Sequence, residues 1–333
     1  MTGEDTTNYT NELNFENMFQ FKPDYGNAQW VNGRIALEKL TDESESQFKS
    51  LVLLNYETNE EEVVVTAEQR KDWSIKNWQF SPDGTKLLFM TSIFTPPQKV
   101  YRYSTYANYA VYDINQKKLI QPWGNQTIQE CSWSPKGALT WIFHGNIFVS
   151  DWDWDEFDDQ QTIDFDQLVS TGKKITNDGC AFGQMGLKTH DWSGIQNGIA
   201  DWVYEEEVLM SAKAYFWSPD GSSLAFMKFD DNDVNGFPIV KHNVNQLFEN
   251  GDNMVEYVSY PQPGQYNPIV SLSVVNDPLN KDIEPVEKNL VFDELDKYLN
   301  MPRGKDDFLI QHVQWRNESS LYATLSSRFR KQF

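Results

Sequence analysis

The chain has 333 residues, a formal net charge of −21 and a hydrophobic content of 39%. This length suits one large domain or two ordinary ones, and the apolar content is high enough for a packed core, which excludes a disordered chain. The strong acidic excess disfavours nucleic acid and anionic membranes as partners and favours ligands that carry a positive charge.

Residues 1–20 are polar, and we expect them to form a tail ahead of the folded part of the chain. They lack the basic region and apolar core of a signal peptide. The chain contains no run of about 18 apolar residues, so we expect no transmembrane helix. Three sequons, at Asn8, Asn125 and Asn317, are compatible with a glycoprotein of the secretory pathway, and the compartment stays open.

One turn pattern occurs three times. In each copy Ser-Pro, a polar residue and Gly stand between two apolar segments, and the copies cover Trp78–Met90, Cys131–Phe143 and Tyr215–Met227. Proline fixes φ at an early turn position, and glycine takes the position that other residues avoid. The flanks are rich in apolar and aromatic residues, so each copy predicts a strand, a tight turn and a strand.

The spacing of these copies predicts the architecture. Weaker copies occur at Trp30 and Trp315. The early copies lie about 50 residues apart, which is typical of one four-stranded blade of a β-propeller. The later intervals are longer and leave room for an excursion and for a further blade near Asn267–Val275. We therefore predict an all-β fold, an incomplete β-propeller of about five blade equivalents with a short inserted helix, and the alternative is a β-sandwich.

The acidic segment Asp151–Asp159 is a candidate calcium loop on composition alone. It fails the EF-hand pattern, because Glu156 stands where that loop needs glycine and Thr162 where it needs a bidentate glutamate. The four histidines show no metal-ligand spacing; they are His144, His190, His242 and His312. We therefore predict no metal site and no cofactor.

Residues 201–207 read Asp-Trp-Val-Tyr-Glu-Glu-Glu. Asp201 is a good helix N-cap, because its side chain can accept hydrogen bonds from the amides of the first turn. Glu205, Glu206 and Glu207 suit the start of a short helix, and the simplest interpretation is a solvated helix face. Successive helical residues are about 100° apart, so only part of the triplet can converge on one cation such as a primary ammonium group.

This segment resembles the signature of dipeptidyl peptidase IV and its relatives of the fungal dipeptidyl aminopeptidase type, in the prolyl oligopeptidase family of serine peptidases. The resemblance implies that Glu206 and Glu207 bind the free N-terminus of a peptide substrate. Glu205, Asp201 and Tyr204 take supporting positions on this reading. The resemblance also implies that the short helix projects from a propeller of eight blades into a cavity shared with an α/β-hydrolase domain.

Arg102 lies between two predicted strands in a segment rich in Ser and Tyr, where an arginine is usually solvent-facing. In the family an arginine before such a strand binds a substrate carbonyl, and the resemblance gives this role to Arg102. A guanidinium fork suits a backbone oxygen beside carboxylates. Two departures from the family pattern bear on the approach of the helix. Residues 180–196 resemble an insertion, and Ala200 stands where relatives often have proline or threonine.

No Gly-x-Ser-x-Gly nucleophile elbow occurs in the chain, so no catalytic residue is assigned. The resemblance places the catalytic serine, aspartate and histidine in the hydrolase domain, which these residues do not include. It is tightest from Asp72 to Asn276, and we expect residues 21–333 to be a partial propeller at the front of a longer protein. The expected function is substrate recognition for a serine exopeptidase that removes Xaa-Pro or Xaa-Ala dipeptides, and the chain alone is expected to be inactive.

The expected partners are peptides with a free N-terminus, the hydrolase domain and a possible second copy in a homodimer. Family members are proteins of the secretory pathway, the vacuole or the cell surface, and the membrane-bound ones carry an N-terminal anchor that we do not find here. The alternatives are a non-enzymatic interaction protein, like relatives that have lost the catalytic serine, and a truncated, inactive homologue.

Overall fold

The computed structural model describes residues 25–39, 49–154, 164–180, 194–240, 255–290 and 308–327. The expected tail at residues 1–20 lies outside these ranges, as do His190, His242 and most of the acidic segment. Within these ranges the chain consists mostly of antiparallel strands, so the prediction of an all-β fold is confirmed. No helix in this part of the chain is long and apolar enough to cross a membrane.

The described strands are β1 Tyr25–Val31, β2 Arg34–Lys39, β3 Ser50–Leu54, β4 Glu61–Val65, β5 Trp78–Phe80, β6 Lys86–Thr91, β7 Gln98–Lys99, β8 Thr105–Tyr106, β9 Asn108–Asp113, β10 Lys118–Ile120, β11 Glu130–Trp133, β12 Leu139–Phe143, β13 Asn146–Ser150, β14 Lys173–Lys174, β15 Ile195–Asn197, β16 Tyr215–Trp217, β17 Ser223–Asp230, β18 Gly236–Val240, β19 Val255–Ser259, β20 Ile269–Asn276, β21 Glu287–Asn289, β22 Phe308–Asn317 and β23 Ser320–Ser327. The described helices are α1 Ala67–Asp72, α2 Phe165–Ser170 and a π-helical turn, Tyr204–Val208. The chain divides into two compact units, Met1–Ser74 and Ile75–Phe333.

In the unit Met1–Ser74, four strands form one antiparallel sheet in the order β1-β2-β3-β4. Asn32 and Gly33 form the turn between β1 and β2, and both have a positive φ, as two-residue hairpin turns favour. The helix α1 follows β4. Its buried residue Arg70 binds Glu38 of β2 at 2.6 Å, and this ion pair ties the helix to the sheet.

The unit Ile75–Phe333 contains three larger antiparallel sheets. Sheet 1 has the order β10-β9-β6-β5, sheet 2 the order β11-β12-β13-β14, and sheet 3 the order β15-β17-β20-β21, with β16 also paired to β17. The smaller hairpins are β7-β8, β18-β19 and β22-β23. The three predicted strand–turn–strand copies are the hairpins β5–β6, β11–β12 and β16–β17, so these predictions are confirmed. No sheet in the described ranges closes into a ring.

The three copies turn in the same way. Gly84, Gly137 and Gly221 have a positive φ, and each donates its amide to a serine carbonyl three residues earlier, at 2.9, 3.0 and 2.9 Å. In the third copy the hydroxyl of Ser218 also donates to Asp220 at 2.7 Å. This hydrogen bond is the largest of the effects that lower the pKa of Asp220 to about 2. The Ser-Pro-Asp-Gly sequence therefore supplies both the backbone geometry of the turn and a side-chain hydrogen bond that stabilises it.

Sheets 2 and 3 of this unit bury both of their faces. In β12, Trp141 packs toward residues of sheet 1, whereas its neighbour Ile142 packs toward residues of sheet 3. This follows from the alternation of side chains along a strand. The far face of sheet 3 is covered by the hairpin β22-β23 and by Tyr204. The strands β9, β12 and β13 are consequently buried along their whole length.

Replacing Trp141 by alanine is expected to destabilise this unit by about 3–5 kcal/mol, because a fully buried indole leaves a cavity. Trp141 stacks on Phe148 with ring centroids 4.3 Å apart and donates to Ser150 at 2.9 Å. Urea unfolding followed by circular dichroism measures the change. Trp30→Ala is the matched control, because Trp30 is 61% exposed. A loss in Trp141→Ala no larger than in the control would contradict the packing described here.

Candidate functional site

The glutamate segment leaves sheet 3 as an excursion between β15 and β16. Its two ends are held together, because the amide of Ala200 donates to the carbonyl of Ala212 at 2.8 Å and Ile199 forms an antiparallel bridge with Lys213. Ala200, one of the departures from the family pattern, is fully buried in this stem. The residues between the two ends are therefore presented as a loop on a paired base.

Gly198 determines where the excursion begins. Its φ is +71°, and a Cβ at this position would lie 2.8 Å from Ile147 Cδ1. Its amide donates to Met227 and its carbonyl accepts from Ala214, at 2.8 and 2.9 Å. Both the backbone conformation and the close approach to β13 require glycine. The fold therefore requires the glycine of the Asn-Gly-Ile sequence that precedes the motif.

Asp201 begins the helical turn. Its carboxylate accepts from the amides of Val203 and Tyr204 at 2.9 and 3.2 Å, so the predicted N-cap is confirmed. The turn then widens, because the amide of Leu209 donates to the carbonyl of Tyr204 at 2.7 Å in a π-helical bond. Tyr204 is fully buried, and its hydroxyl oxygen accepts from the amide of Ile310 at 3.2 Å. The turn is therefore anchored at its first residue.

The three glutamates lie in three different environments. Glu205 is fully buried, the side chain of Glu206 is 20% exposed, and Glu207 is exposed. Within the described ranges Glu207 has no ion-pair or hydrogen-bond partner. As helical geometry predicts, the triplet does not act as a single acidic face.

Arg102 lies at the tip of the hairpin β7–β8. Its guanidinium donates to Glu206 at 3.2 Å and lies 5.6 Å from the ring centroid of Tyr103. The hydrogen bond with Glu206 raises the pKa of Arg102. Its side chain is 63% exposed, so Arg102 is solvent-facing and ion-paired at once. The structure thus brings together Arg102 and Glu206 and leaves Glu207 beside them in the triplet.

Glu205 makes a contact that sequence reasoning missed. Its Oε1 accepts from the amide of Ser104 at 3.0 Å and from the amide of Tyr103. These two residues follow Arg102 directly, so the carboxylate holds the backbone of the hairpin that carries the arginine. The other oxygen, Oε2, is buried without a hydrogen-bond partner among the described residues. No local pattern signals the contact, because Glu205 and Ser104 are 101 residues apart in the chain.

Two more carboxyl groups close to this site, those of Asp201 and Asp231, are fully buried. Burial raises the pKa of Asp201 to about 7, and the charge of Glu205 adds to the rise. Burial and the neighbouring Asp201 raise the pKa of Asp231 well above its ordinary range, although the hydroxyl of Ser259 opposes this. Sequence reasoning missed Asp231 as well, because an Asp-rich turn is normally solvated.

A second polar cluster lies at the stem of the excursion. The amine of Lys213 donates to Ser132 at 2.8 Å and lies 4.6 Å from the ring centroid of Tyr215. Burial lowers the pKa of Lys213 and raises the pKa of Glu130 to about 7. Glu130 and Tyr103 both line a cleft of about 150 Å³, so this cleft adjoins the hairpin β7–β8.

In the described ranges no group of three or more His, Cys, Asp and Glu side chains is arranged to hold a metal ion. His144 has a positive φ and lies in the turn between β12 and β13. The part of the acidic segment that contains Glu156 and the position of Thr162 lie outside the described residues.

The chain matches the family model of the dipeptidyl peptidase IV N-terminal region over residues 81–333. The stacked antiparallel sheets and the glutamate excursion occur within this match. The chain therefore belongs to the dipeptidyl peptidase IV N-terminal region family, and the resemblance noted in the sequence is confirmed. The closer resemblance to the fungal dipeptidyl aminopeptidase type stays a prediction.

Three curated relatives illustrate the similarity. Prolyl endopeptidase FAP of Mus musculus is 27% identical over 81% of the chain, and venom dipeptidyl peptidase 4 of Vespula vulgaris is 28% identical over 80%. Dipeptidyl peptidase 4 of Felis catus is 27% identical over 94% of the chain. The chain spans 30% of the length of the first two relatives and 35% of the third.

A solved structure supports the fold. The crystal structure of Porphyromonas gingivalis dipeptidyl peptidase 4 matches 95% of the chain with a TM-score of 0.65, and the match covers 38% of that protein. The sequence identity is 19%, so this likeness bears on the fold alone.

We expect Asp201→Asn to reduce the loss of stability that the wild-type chain shows as the pH rises from about 5 to about 7.5. Native Asp201 keeps its proton up to about pH 7, whereas the unfolded chain releases it near the ordinary value of 3.8. Raising the pH therefore favours the unfolded state, and the share of Asp201 is on the order of 1–3 kcal/mol. Urea unfolding at the two pH values measures this difference.

The asparagine keeps an oxygen that can accept from the first-turn amides, so part of the cap survives. Glu130 also titrates near pH 7 and remains in the variant, so the pH dependence should shrink rather than vanish. Asp282→Asn, at an exposed aspartate, is the matched control. If Asp201→Asn loses as much stability as the wild type over this range, the buried titration is wrong.

Proposed function

We propose that the chain is the substrate-recognition part of a dipeptidyl peptidase IV-like serine exopeptidase, which removes Xaa-Pro or Xaa-Ala dipeptides from free peptide N-termini. The observation that carries the proposal is the pairing of Arg102 with Glu206 at 3.2 Å, beside the exposed Glu207. Carboxylates bind a primary ammonium group through charge-assisted hydrogen bonds. A guanidinium donates to a peptide carbonyl next to it. Relatives named dipeptidyl peptidase 4 and prolyl endopeptidase support a peptide as the ligand.

In this proposal Glu206 and Glu207 bind the ammonium group, and Arg102 binds the first carbonyl. Asp201 and Tyr204 support the turn that carries the glutamates. An acylated N-terminus has no charge to offer, so it would leave the carboxylates without a partner. The two glutamates would therefore measure the substrate from its free end.

We further propose that residues 21–333 form part of a β-propeller, with about five blade equivalents of an expected eight. The four-stranded sheets 1 and 2 and the five-stranded sheet 3 pack on one another in succession, which supports this reading. The catalytic serine, aspartate and histidine would belong to an α/β-hydrolase domain outside these residues. Peptide substrates, that domain and a second copy of the chain are the proposed partners.

Glu206→Gln and Glu207→Gln are each expected to weaken the binding of the tripeptide Ala-Pro-Ala to the chain by about threefold to tenfold, because each removes one partner of a solvent-accessible charge pair. In a cavity closed by a hydrolase domain the same changes should cost about 2–5 kcal/mol, or at least about 30-fold in kcat/KM. Arg102→Ala should have a smaller effect, since Arg102 would bind a neutral carbonyl. Titration followed by nuclear magnetic resonance measures the affinities.

Glu284→Gln is the matched control, because it removes one negative charge at an exposed position of the same unit. The N-acetylated tripeptide is the control ligand and should bind more weakly than the free peptide. Equal affinity of the wild-type chain for the two peptides would contradict the proposed function.

A further inference from the structure

The proposed peptide site binds the substrate with two of the three glutamates and gives Glu205 only a supporting position. Yet Glu205 is the most buried of the three, and its Oε1 accepts from two successive backbone amides. Those amides belong to Tyr103 and Ser104, which follow Arg102 in the hairpin β7–β8. A buried carboxylate that binds the backbone beside the recognition arginine needs an explanation of its own.

We propose that Glu205 is the positioning residue of this site. Its carboxylate fastens the tip of the hairpin to the π-helical turn and so sets the place of Arg102 relative to Glu206. This inference rests on the proposed function for its consequence in peptide binding, whereas the anchoring itself can be tested without a peptide.

The hairpin β7–β8 has too few contacts of its own to fix the position of Arg102. Each of its strands has two residues, and both residues of β7 are exposed. Val100 and Tyr101 pack against the core of sheets 2 and 3 at the base of the hairpin. Beyond this base, the amides of Val100 and Tyr101 donate to the carbonyl and hydroxyl oxygens of Ser104 at 3.1 and 3.2 Å, and the amine of Lys99 donates to the carbonyl of Arg102. Two-stranded ribbons of this size are marginal in water, so the tip needs a contact from outside the hairpin.

Two contacts from the glutamate turn could supply that anchor. The Arg102–Glu206 pair is largely exposed, with 63% of the arginine side chain accessible, and exposed ion pairs contribute little to order. The bonds from Tyr103 and Ser104 reach a fully buried carboxylate, and charge-assisted hydrogen bonds of this kind are considerably stronger. Glu205 is therefore the stronger anchor of the tip, and Arg102 and Glu206 stay available to a ligand.

The test combines amide exchange with peptide binding on the 333-residue chain. Glu205→Ala should speed hydrogen exchange at Tyr103 and Ser104 by at least about tenfold, because both amides lose their acceptor. Glu205→Gln keeps an accepting oxygen at this place but loses the charge, so its exchange rates should lie between those of the wild type and Glu205→Ala. Glu207→Ala is the matched control in the same triplet and should leave exchange at both amides unchanged.

The binding arm uses Ala-Pro-Ala and its N-acetylated form. Glu205→Ala should weaken binding of the free peptide by about as much as Arg102→Ala does, and the double variant should bind no more weakly than the weaker of the two single variants. Such non-additivity is expected when one residue acts through the other. A purely structural role would instead lower the melting temperature and give effects that multiply.

The outcomes separate this inference from the proposed function. If the wild-type chain binds free and acetylated peptides equally, the proposed function fails, and the exchange arm still decides whether Glu205 holds the hairpin. Unchanged exchange at Tyr103 and Ser104 in Glu205→Ala would overturn the anchoring. Multiplying effects in the double variant would overturn its link to Arg102. Should Glu205→Ala fail to fold, Glu205→Asp, which withdraws the carboxylate by one methylene, takes its place in both arms.

Discussion

The alternation of side chains along its strands is the constraint on which the unit Ile75–Phe333 depends. Successive residues point to opposite faces, so the central strands β9, β12 and β13 can be buried throughout only if another layer covers each side. Trp141 packs toward sheet 1 on one face, and Ile142 packs toward sheet 3 on the other. Because the side chains on both faces of these strands are buried in the core, none of them can contact a ligand. The proposed recognition residues accordingly lie in segments that leave the sheets, the hairpin β7–β8 and the excursion before β16.

Three buried carboxyl groups lie in or beside the excursion before β16. Asp201, Glu205 and Asp231 are all fully buried, and a carboxyl group away from water is costly unless it is hydrogen-bonded or protonated. Asp201 accepts from two amides and still has a raised pKa, while Asp231 depends on protonation more heavily. Carboxyl groups with pKa values raised in this way cluster at functional sites. The base of the glutamate turn is thus built at some expense to the fold.

Sequence reasoning succeeded where the signal is local. The Ser-Pro-Asp-Gly turns at Gly84 and Gly221 and the cap at Asp201 follow from residue preferences within a few positions, and the structure contains all of them. It missed the contact of Glu205 and the burial of Asp231, because these depend on packing between distant segments. Three identical neighbouring residues cannot be told apart by composition. The resemblance assigned two of them, and the tertiary structure was needed to see what the third contacts.

The free energies of the contacts explain why Glu205 and Glu206 serve different purposes. Ordering the backbone of a residue costs about 1–2 kcal/mol. An exposed ion pair such as Arg102–Glu206 offsets little of that cost, because solvent screens it. That pair is too weak to order a hairpin tip. Hydrogen bonds to a charged group contribute about 1.5–3 kcal/mol each, and Glu205 accepts two of them from residues of the tip. With the hairpin held by the buried glutamate, the outer pair can separate at little cost when a ligand arrives. A preorganised arginine and a weakly paired carboxylate are what efficient binding of a charged peptide end requires.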